Sequence, residues 1–308
     1  MDVLLPDQTN PTLNLGTVTP EDDGRKFKLV VSNGILPNLT KTVTIKVHTW
    51  HPDAAAYLTA VETADGQALE PAAATAWDVF FRQMDDPAHP TPTAATHKIA
   101  LAEGTMIPML GARTLAGALI PAYANMPMPT NVGFVTGDYD RAIGLIRQPN
   151  SAKRIDTELW SNFSPRDDVA LFVFITEPSP NAEGSIIGPA SGVTSGGAIQ
   201  LSGPIRCRAR NQSTVGLSLA DSTGFAGWSR SESQRFTRRA DGTSVTETQD
   251  SNGYLSSKMQ VFTVHSLTGT GSAWEGRLLS ASLATSIDLA YMDSCLTTLQ
   301  SSIAAALA

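Results

Sequence analysis

The sequence is poor in charged residues. Asp, Glu, Lys and Arg make up 17% of the 308 residues, against about a quarter in an average soluble domain. Hydrophobic residues reach 42%, which is enough for a substantial core, and the length suits one large domain or two ordinary ones. A weakly charged chain buries much of its surface, so two interpretations stay open: a compact monomer with a Ser/Thr-rich surface, or a protomer of a larger assembly.

Cysteine is also scarce. Cys207 and Cys295 are the two cysteines, and neither belongs to a C-x-x-C pair, which excludes a zinc ribbon and argues against a disulfide framework. The opening MDVLLPDQTNPT lacks the basic and apolar segments of a signal peptide. No apolar run approaches the length of about 18 residues that a membrane span needs. We therefore expect free thiols, a reducing compartment and no membrane contact.

The short motifs of common catalytic and phosphate-binding sites are missing. There is no G-x-S-x-G elbow, no G-x-x-x-x-G-K-[ST] loop and no G-x-G-x-x-G turn. Adjacent carboxylates at 22–23, 85–86 and 167–168 lie where Asp commonly caps turns and helices. His48 and His51 are three residues apart in a strand-like segment, which would point them to opposite faces. We predict no catalytic residue, no cofactor, no metal site and no enzymatic activity.

Eight short segments have strand character. Most combine β-branched or aromatic residues with nearby turn signals. The run at 168–178 is continuously apolar, which is typical of a strand buried on both faces, whereas 97–104 is a weaker candidate. The segments are FKLVVSNG (27–34), KTVTIKVHTW (41–50), HKIALAEG (97–104), DVALFVFITEP (168–178), AIQLSGPIRCRAR (198–210), TVGLSLA (214–220), KMQVFTVHSL (258–267) and WEGRLLSASLA (274–284).

Helical patterns interrupt the strands. Residues 53–64 and 70–84 are Ala-rich, and 113–126 predicts a shorter helix interrupted at Pro121. The clearest helix is C-terminal, where apolar residues recur at steps of three and four. This stripe consists of Leu289, Met292, Leu296, Leu299 and Ile303. Packing of the stripe on its own domain and packing on another subunit both remain open.

These elements predict a simple organisation. Residues 1–24 form an extended arm, and 25–284 form a β-sandwich domain with helical insertions near 53–84 and 113–126. The C-terminal helix occupies 285–308. Two further stretches, at 126–140 and 177–197, are rich in Pro, Gly or polar residues and are predicted as loops.

A hairpin is predicted near residues 229–250. Asp241-Gly242 is a strong two-residue turn signal. The register that it sets pairs Arg238 with Val245 and Phe236 with Glu247. Both strands are polar, so we expect this hairpin to project from the body of the domain.

Positive charge concentrates in one part of an acidic chain. The formal net charge is −7, yet residues 201–240 contain seven Arg and two acidic residues, a net +5. In GPIRCRARNQ (203–212), alternate residues are arginine, so in a strand their side chains share one face, opposite Ile205, Cys207 and Ala209. The predicted contact residues for an acidic partner or another copy are Arg206, Arg208 and Arg210, with Arg235, Arg238 and Arg239 of the hairpin.

Nucleic acid is another possible partner for these arginines, but the sequence does not favour it. Binding of single strands usually interleaves aromatic residues with the charges, and here the intervening residues are Ile, Cys and Ala. The N-terminal arm carries no basic residue before Arg25. A simple solvated strand face is the remaining alternative.

The strand count and the inserted helices resemble the jelly-roll coat proteins of non-enveloped viruses and phages. The segments KTVTIKVHTW, DVALFVFITEP, IQLSGPIRCRAR and KMQVFTVHSL carry this resemblance, over about residues 25–284. It implies a mainly β fold with helical insertions, an antiparallel jelly-roll-like β-sandwich plus a C-terminal helix. It also implies a structural subunit of a virion, assembled in the host cytoplasm from copies of itself and other shell proteins, without catalysis.

Two alternatives to a coat subunit stay open. One is a β-sandwich module that binds carbohydrate or protein, and the other is a hydrolase of unrecognised type. Carbohydrate binding requires exposed aromatic residues on one face, and the tryptophans at 50, 160, 228 and 274 are scattered along the sequence.

Overall fold

The structure is a computed structural model of the chain. It describes residues 26–31, 39–44, 49–148, 151–179, 183–190, 198–202, 205–210, 215–217, 223–252, 257–262 and 274–308. The chain divides into two compact units, Met1–Trp50 and His51–Ala308. In the first unit, β1 (Lys26–Val31) pairs antiparallel with β2 (Leu39–Thr44). The predicted arm at 1–24 lies outside the described residues.

Five α-helices lie within the described residues of the second unit. They are α1 (Pro52–Asp65), α2 (Pro71–Met84), α3 (His97–Ala102), α4 (Leu115–Ala118) and α5 (Leu289–Leu307). Proline begins α1 and α2, where its missing N–H costs nothing, and the Asp288 carboxylate caps α5 by accepting from the amides of Ala290 and Tyr291. No described helix is long and apolar enough to cross a membrane.

An eight-stranded antiparallel sheet lies at the centre of this unit. Its strand order is β15-β14-β13-β8-β17-β6-β5, and β3 also pairs with β17. The strands are β3 (Thr105–Ile107), β5 (Tyr139–Asp140), β6 (Gly144–Ile146), β8 (Val169–Glu177), β13 (Gly224–Arg230), β14 (Arg235–Ala240), β15 (Thr243–Thr248) and β17 (Arg277–Ala284).

A second antiparallel sheet has seven strands. Their order is β12-β11-β10-β9-β16-β7-β4. The strands are β4 (Thr130–Val132), β7 (Arg154–Trp160), β9 (Glu183–Pro189), β10 (Ala198–Ser202), β11 (Ile205–Arg208), β12 (Val215–Leu217) and β16 (Lys258–Val261).

The eight-stranded sheet is the middle of three layers, because its two faces contribute to different cores. On one face, Phe172 and Phe174 of β8 pack into a core with residues of α1, α2 and α5. On the other, Leu171 and Val173 join a core with Ile155, Cys207 and other residues of the seven-stranded sheet. One face of the seven-stranded sheet therefore packs inward, and its opposite face is the outer one.

The predicted fold class is confirmed. The chain is mainly β, forms an antiparallel β-sandwich with helical insertions, and has the C-terminal helix α5. The predicted buried strand at 168–178 is β8, whose first seven residues are all buried. The hairpin register is also confirmed, with Arg238 opposite Val245 and Phe236 opposite Glu247. This hairpin continues the eight-stranded sheet at one edge, and Arg239 pairs with Asp293 of α5.

Several local predictions are wrong, among them the loop predicted at 126–140, which contains β4 and β5. The weak strand at 97–104 is helix α3, because His97, Ala100 and Leu101 turn one helical face to the core. The helix predicted at 113–126 is reduced to the four residues of α4, well before Pro121. The predicted loop at 177–197 contains β9, an interior strand between β10 and β16. The Gly and Ser residues of β9 have low strand propensity, so the sequence does not indicate a strand there. Pairing with a neighbouring strand on each edge stabilises it.

Arg230 forms hydrogen bonds to the backbone of the connecting segments at one end of the sandwich. Its guanidinium group is fully buried and donates to five backbone carbonyls, those of Ala209, Glu232, Ser233, Arg235 and Gln249, at 3.0–3.3 Å. The planar guanidinium fork has five N–H donors, so it can satisfy several carbonyls that no strand ladder reaches. Burial without an acidic partner in contact lowers the pKa of Arg230 from its usual value.

We expect Arg230→Lys to lower the free energy of unfolding by about 2–3 kcal/mol, because an ammonium group cannot replace the fork and each hydrogen bond to a charged group is worth about 1.5–3 kcal/mol. Urea denaturation at neutral pH measures the change. Arg235→Lys is the matched control, since Arg235 is exposed and pairs only with Glu232. Equal midpoints for the two variants would contradict the assigned role of Arg230.

Candidate functional site

The arginine stripe lies partly inside the protein. Arg206 is half-buried, whereas Arg208 is 7% and Arg210 only 2% exposed. Cys207 and Ala209 are buried on the inward face, as the alternation predicts. Arg210 has a positive φ of 55° and follows the end of β11, so its side chain departs from the strand pattern.

The hairpin arginines pair with acidic residues of the same chain. Arg235 contacts Glu232, Arg238 contacts Glu247 and Arg239 contacts Asp293. The five apolar residues predicted as the packing stripe of the C-terminal helix, Leu289, Met292, Leu296, Leu299 and Ile303, are buried in the helical core of their own chain. Contacts of either group with another copy stay a prediction.

A different surface gathers side chains of the kinds that bind ligands. It lies on the outer face of β4, β7 and β16, and we call it the open face. Its members share that side of the seven-stranded sheet. They are Thr130 of β4, Arg154, Asp156, Glu158 and Trp160 of β7, and Lys258 and Gln260 of β16.

An irregularity in β7 shapes the open face. Lys258 and Gln260 are two residues apart, yet their partners Trp160 and Asp156 are four apart. The extra residues form a β-bulge, and Glu158 within it has a φ of +60°, a conformation unfavourable for a residue with a Cβ. Bulges re-aim side chains near functional sites. Here the bulge places Glu158 against Lys258, on the same side as Trp160.

The polar groups of the open face form two pairs. The Glu158 carboxylate accepts from Lys258 Nζ at 2.7 Å and from Thr130 Oγ1 at 2.9 Å. These two hydrogen bonds lower the pKa of Glu158, and the same carboxylate raises the pKa of Lys258. Asp156 Oδ1 accepts from Gln260 Nε2 at 2.6 Å and from Arg154 Nε at 3.1 Å. The Glu158 carboxylate is therefore held ionised, and both carboxylates are oriented by their hydrogen bonds.

Trp160 completes the open face. Its side chain is 48% exposed, whereas Trp77, Trp228 and Trp274 are fully buried. The turn that follows it is anchored by Arg210, which donates to the carbonyls of Ser161, Ser164 and Pro165 at 2.5–3.2 Å. One arginine of the predicted stripe thus supports the aromatic residue of the open face from inside the protein.

Two other features of the described structure, a cluster of possible metal ligands and a groove, are less suited to binding a ligand. His51, Asp53 and Asp85 bring possible metal-ligand atoms within 4.8 Å of one another, but Lys98 Nζ lies 2.8 Å from Asp53 and 3.4 Å from Asp85. An ammonium group therefore already contacts both carboxylates. A groove of about 440 Å³ lies between α2 and α5, and its lining, which includes Val79 and Leu299, has no titratable side chain.

Only one local pattern in the sequence points to the open face. RIDTELW, the sequence of β7, alternates charged residues with Ile, Thr and Leu over its first six positions, which is the pattern of a strand with one solvated side. That signal could have identified the strand. The exposure of Trp160 follows from the bulge and from the layer order, neither of which the sequence reveals.

The strain at Glu158 is testable by paired substitutions. We expect Glu158→Gly to be more stable than Glu158→Ala by about 1 kcal/mol, since only glycine adopts a positive φ without cost. At an ordinary strand position the order reverses, because glycine costs about 0.5–1 kcal/mol relative to alanine. Thermal unfolding of the two variants decides the sign, and a more stable alanine variant would show that the bulge does not form as described.

Comparison with known proteins gives weak structural similarities only. No protein-family model matches the sequence, and no curated protein matches it. A mutant of Trypanosoma rangeli sialidase displaying trans-sialidase activity is 11% identical, with a TM-score of 0.44, over 75% of this chain and 38% of that chain. Trypanosoma rangeli sialidase itself is 9% identical, with a TM-score of 0.37, over 73% and 37%.

A third similar structure is a mutant GH54 α-L-arabinofuranosidase soaked with 4-nitrophenyl α-L-arabinofuranoside. It is 12% identical, with a TM-score of 0.34, over 71% of this chain and 46% of that chain. The present chain therefore spans less than half the length of each of these structures. At such identities and TM-scores the similarity assigns neither an activity nor a substrate to this chain.

These similarities correct the function expected from the sequence. A coat subunit without catalytic activity is the expectation, whereas the similar structures are glycoside hydrolases. Both the coat-subunit function and the exclusion of enzymatic activity are therefore wrong. The error has a physical origin, because a strand count with inserted helices describes many β-sandwiches and selects no function among them.

Proposed function

We propose that this chain is a carbohydrate-binding β-sandwich module and that its ligand lies on the open face. The observation that carries the proposal is Trp160, 48% exposed, which lies beside the partly exposed side chains of Glu158 and Lys258 on the outer face of β7 and β16. Ligand sites typically combine aromatic surface with a few well-placed polar groups.

The chemistry of a sugar ring matches this surface. One face of a pyranose ring presents C–H groups, which pack on the flat indole of Trp160, while its hydroxyl groups act both as donors and as acceptors. The carboxylates of Asp156 and Glu158 accept hydrogen bonds and Lys258 donates them, while the buried Gln260 orients Asp156. Because these groups already hold one another in place, little side-chain entropy is lost when a ligand binds.

Other ligand classes fit the open face less well. Nucleic acid needs an excess of positive charge, and the open face has two cationic and two anionic side chains. Protein interfaces are depleted of charged residues at their centre, whereas four of the seven residues that define the open face are charged. A polyhydroxylated ligand uses both kinds of charged group as hydrogen-bond partners.

Glu158 is suited to hydrogen bonding with a ligand and not to the role of a catalytic acid. Hydrolysis of a glycoside needs a carboxylic acid whose pKa is raised, so that it can protonate the leaving group. Hydrogen bonds from Lys258 and Thr130 lower the pKa of Glu158 instead. We therefore assign the Glu158 carboxylate to hydrogen bonding with ligand hydroxyls.

Replacing Trp160 with alanine should abolish most of the binding. Stacking of nucleic-acid bases on aromatic side chains is worth about 1–3 kcal/mol, so a comparable stack on a sugar predicts a rise in Kd of about tenfold or more. Isothermal titration calorimetry with neutral oligosaccharides measures the Kd of each variant. Trp160→Phe should retain part of the affinity because it keeps an aromatic face.

Val79→Ala is the matched control for this experiment. Val79 is an exposed apolar residue of α2, 43% accessible, in the helical layer on the other side of the central sheet. The Val79→Ala variant should bind the oligosaccharide with the same Kd as the wild type. Equal affinities for the wild type and Trp160→Ala, with both proteins folded, would remove the basis of the proposed function.

A further inference from the structure

We infer that the ligand of the open face is a neutral oligosaccharide several units long that lies along β7. The inference rests on the proposed function and narrows it to one class of carbohydrate. It depends on two properties of the open face, namely how its charges are paired and how far its polar groups extend.

Charge pairing excludes an acidic sugar as the preferred ligand. Arg154 Nε lies 3.1 Å from Asp156, and Lys258 Nζ lies 2.7 Å from Glu158. Each cationic group of the open face is thus already neutralised by its own carboxylate. A uronic or other acidic sugar would bring a third carboxylate beside these two, and cations that are already paired would offset little of the like-charge repulsion.

The extent of the open face indicates a ligand longer than one sugar. Trp160 and Arg154 are the two ends of β7, and a strand advances roughly 3.3 Å per residue, so the six steps between them span up to about 20 Å. The Glu158–Lys258 pair lies beside Trp160, and the Asp156–Gln260 pair lies further along the strand. Successive sugar units along β7 would therefore meet one aromatic contact and then two sets of hydrogen-bonding groups.

The test is calorimetric titration of the full chain with matched oligosaccharides. The probes are neutral hexasaccharides of glucose, mannose and xylose, the corresponding disaccharides, and the acidic hexamer of galacturonic acid. Each titration is run at about 20 mM and at about 500 mM NaCl, which brackets the range over which exposed charges become screened.

The expected result has three parts. At least one neutral hexasaccharide binds, with a Kd that changes by less than about twofold between the two salt concentrations. It binds at least about tenfold more tightly than its disaccharide. The galacturonate hexamer binds at least about tenfold more weakly than that neutral ligand at either salt concentration.

A substitution that unbalances the charges sharpens the test. Glu158→Gln removes the carboxylate that neutralises Lys258, so affinity for the galacturonate hexamer should rise at least about fivefold at low salt, and this gain should vanish at high salt. Asp86→Asn is the control, because Asp86 lies outside the open face and accepts from the amide of Ala88. It should leave galacturonate binding as it is in the wild type.

The outcomes separate this inference from the proposed function. Tighter binding of the galacturonate hexamer by the wild type, or strongly salt-dependent binding, would overturn the neutral-ligand inference and leave carbohydrate binding standing. Equal affinity for hexasaccharide and disaccharide would overturn the extended ligand. Absence of binding to every probe, by a chain that is folded, would overturn the proposed function itself.

Discussion

The burial of the eight-stranded sheet on both faces is the constraint on which the rest of the fold depends. β8 turns Phe172 and Phe174 towards the helices and Leu171 and Val173 towards the other sheet, so it needs a covering layer on each side. The helices supply one cover and the seven-stranded sheet supplies the other. An outer sheet surface then remains, and the open face is on it. The candidate site therefore lies on the face of the seven-stranded sheet that does not cover the central sheet.

Two buried arginines stabilise the irregular backbone of the turns that connect the strands. Arg210 and Arg230 each donate to carbonyls of turns that no strand pairs with. A buried carbonyl without a partner is costly, and the guanidinium group is the side chain with the most donors. Arg210, predicted from the sequence as a contact residue, therefore acts within the protein, as Arg230 does. Arg210 also fixes the turn after Trp160 and so links the arginine stripe to the open face.

Sequence patterns predicted the class of fold and many of its elements. The continuous apolar run at 168–178 identified the double-sided strand, and Asp241-Gly242 set the register of its hairpin, because both signals are local. The patterns failed where tertiary contacts decide. β9 is rich in Gly and Ser, and β7 contains a bulge, so neither shows an uninterrupted strand signal. Which tryptophan is exposed depends on the order of the layers, which no local pattern encodes.

The functional expectation failed for a related reason. A count of strands and inserted helices describes an architecture, and the same architecture supports many functions. The candidate site became visible only when β4, β7 and β16 were known to be neighbours, since its residues come from Thr130 to Gln260 along the chain.

The most direct test of ligand binding on the open face is a two-dimensional NMR titration that follows the indole N–H signals of the five tryptophans during addition of a neutral hexasaccharide. Trp160→Phe identifies the Trp160 signal by its loss. Binding as proposed shifts that signal and the backbone amides of β7 and β16, and leaves the buried Trp77 unchanged. Shifts confined to the groove between α2 and α5, with Trp160 unmoved, would contradict it.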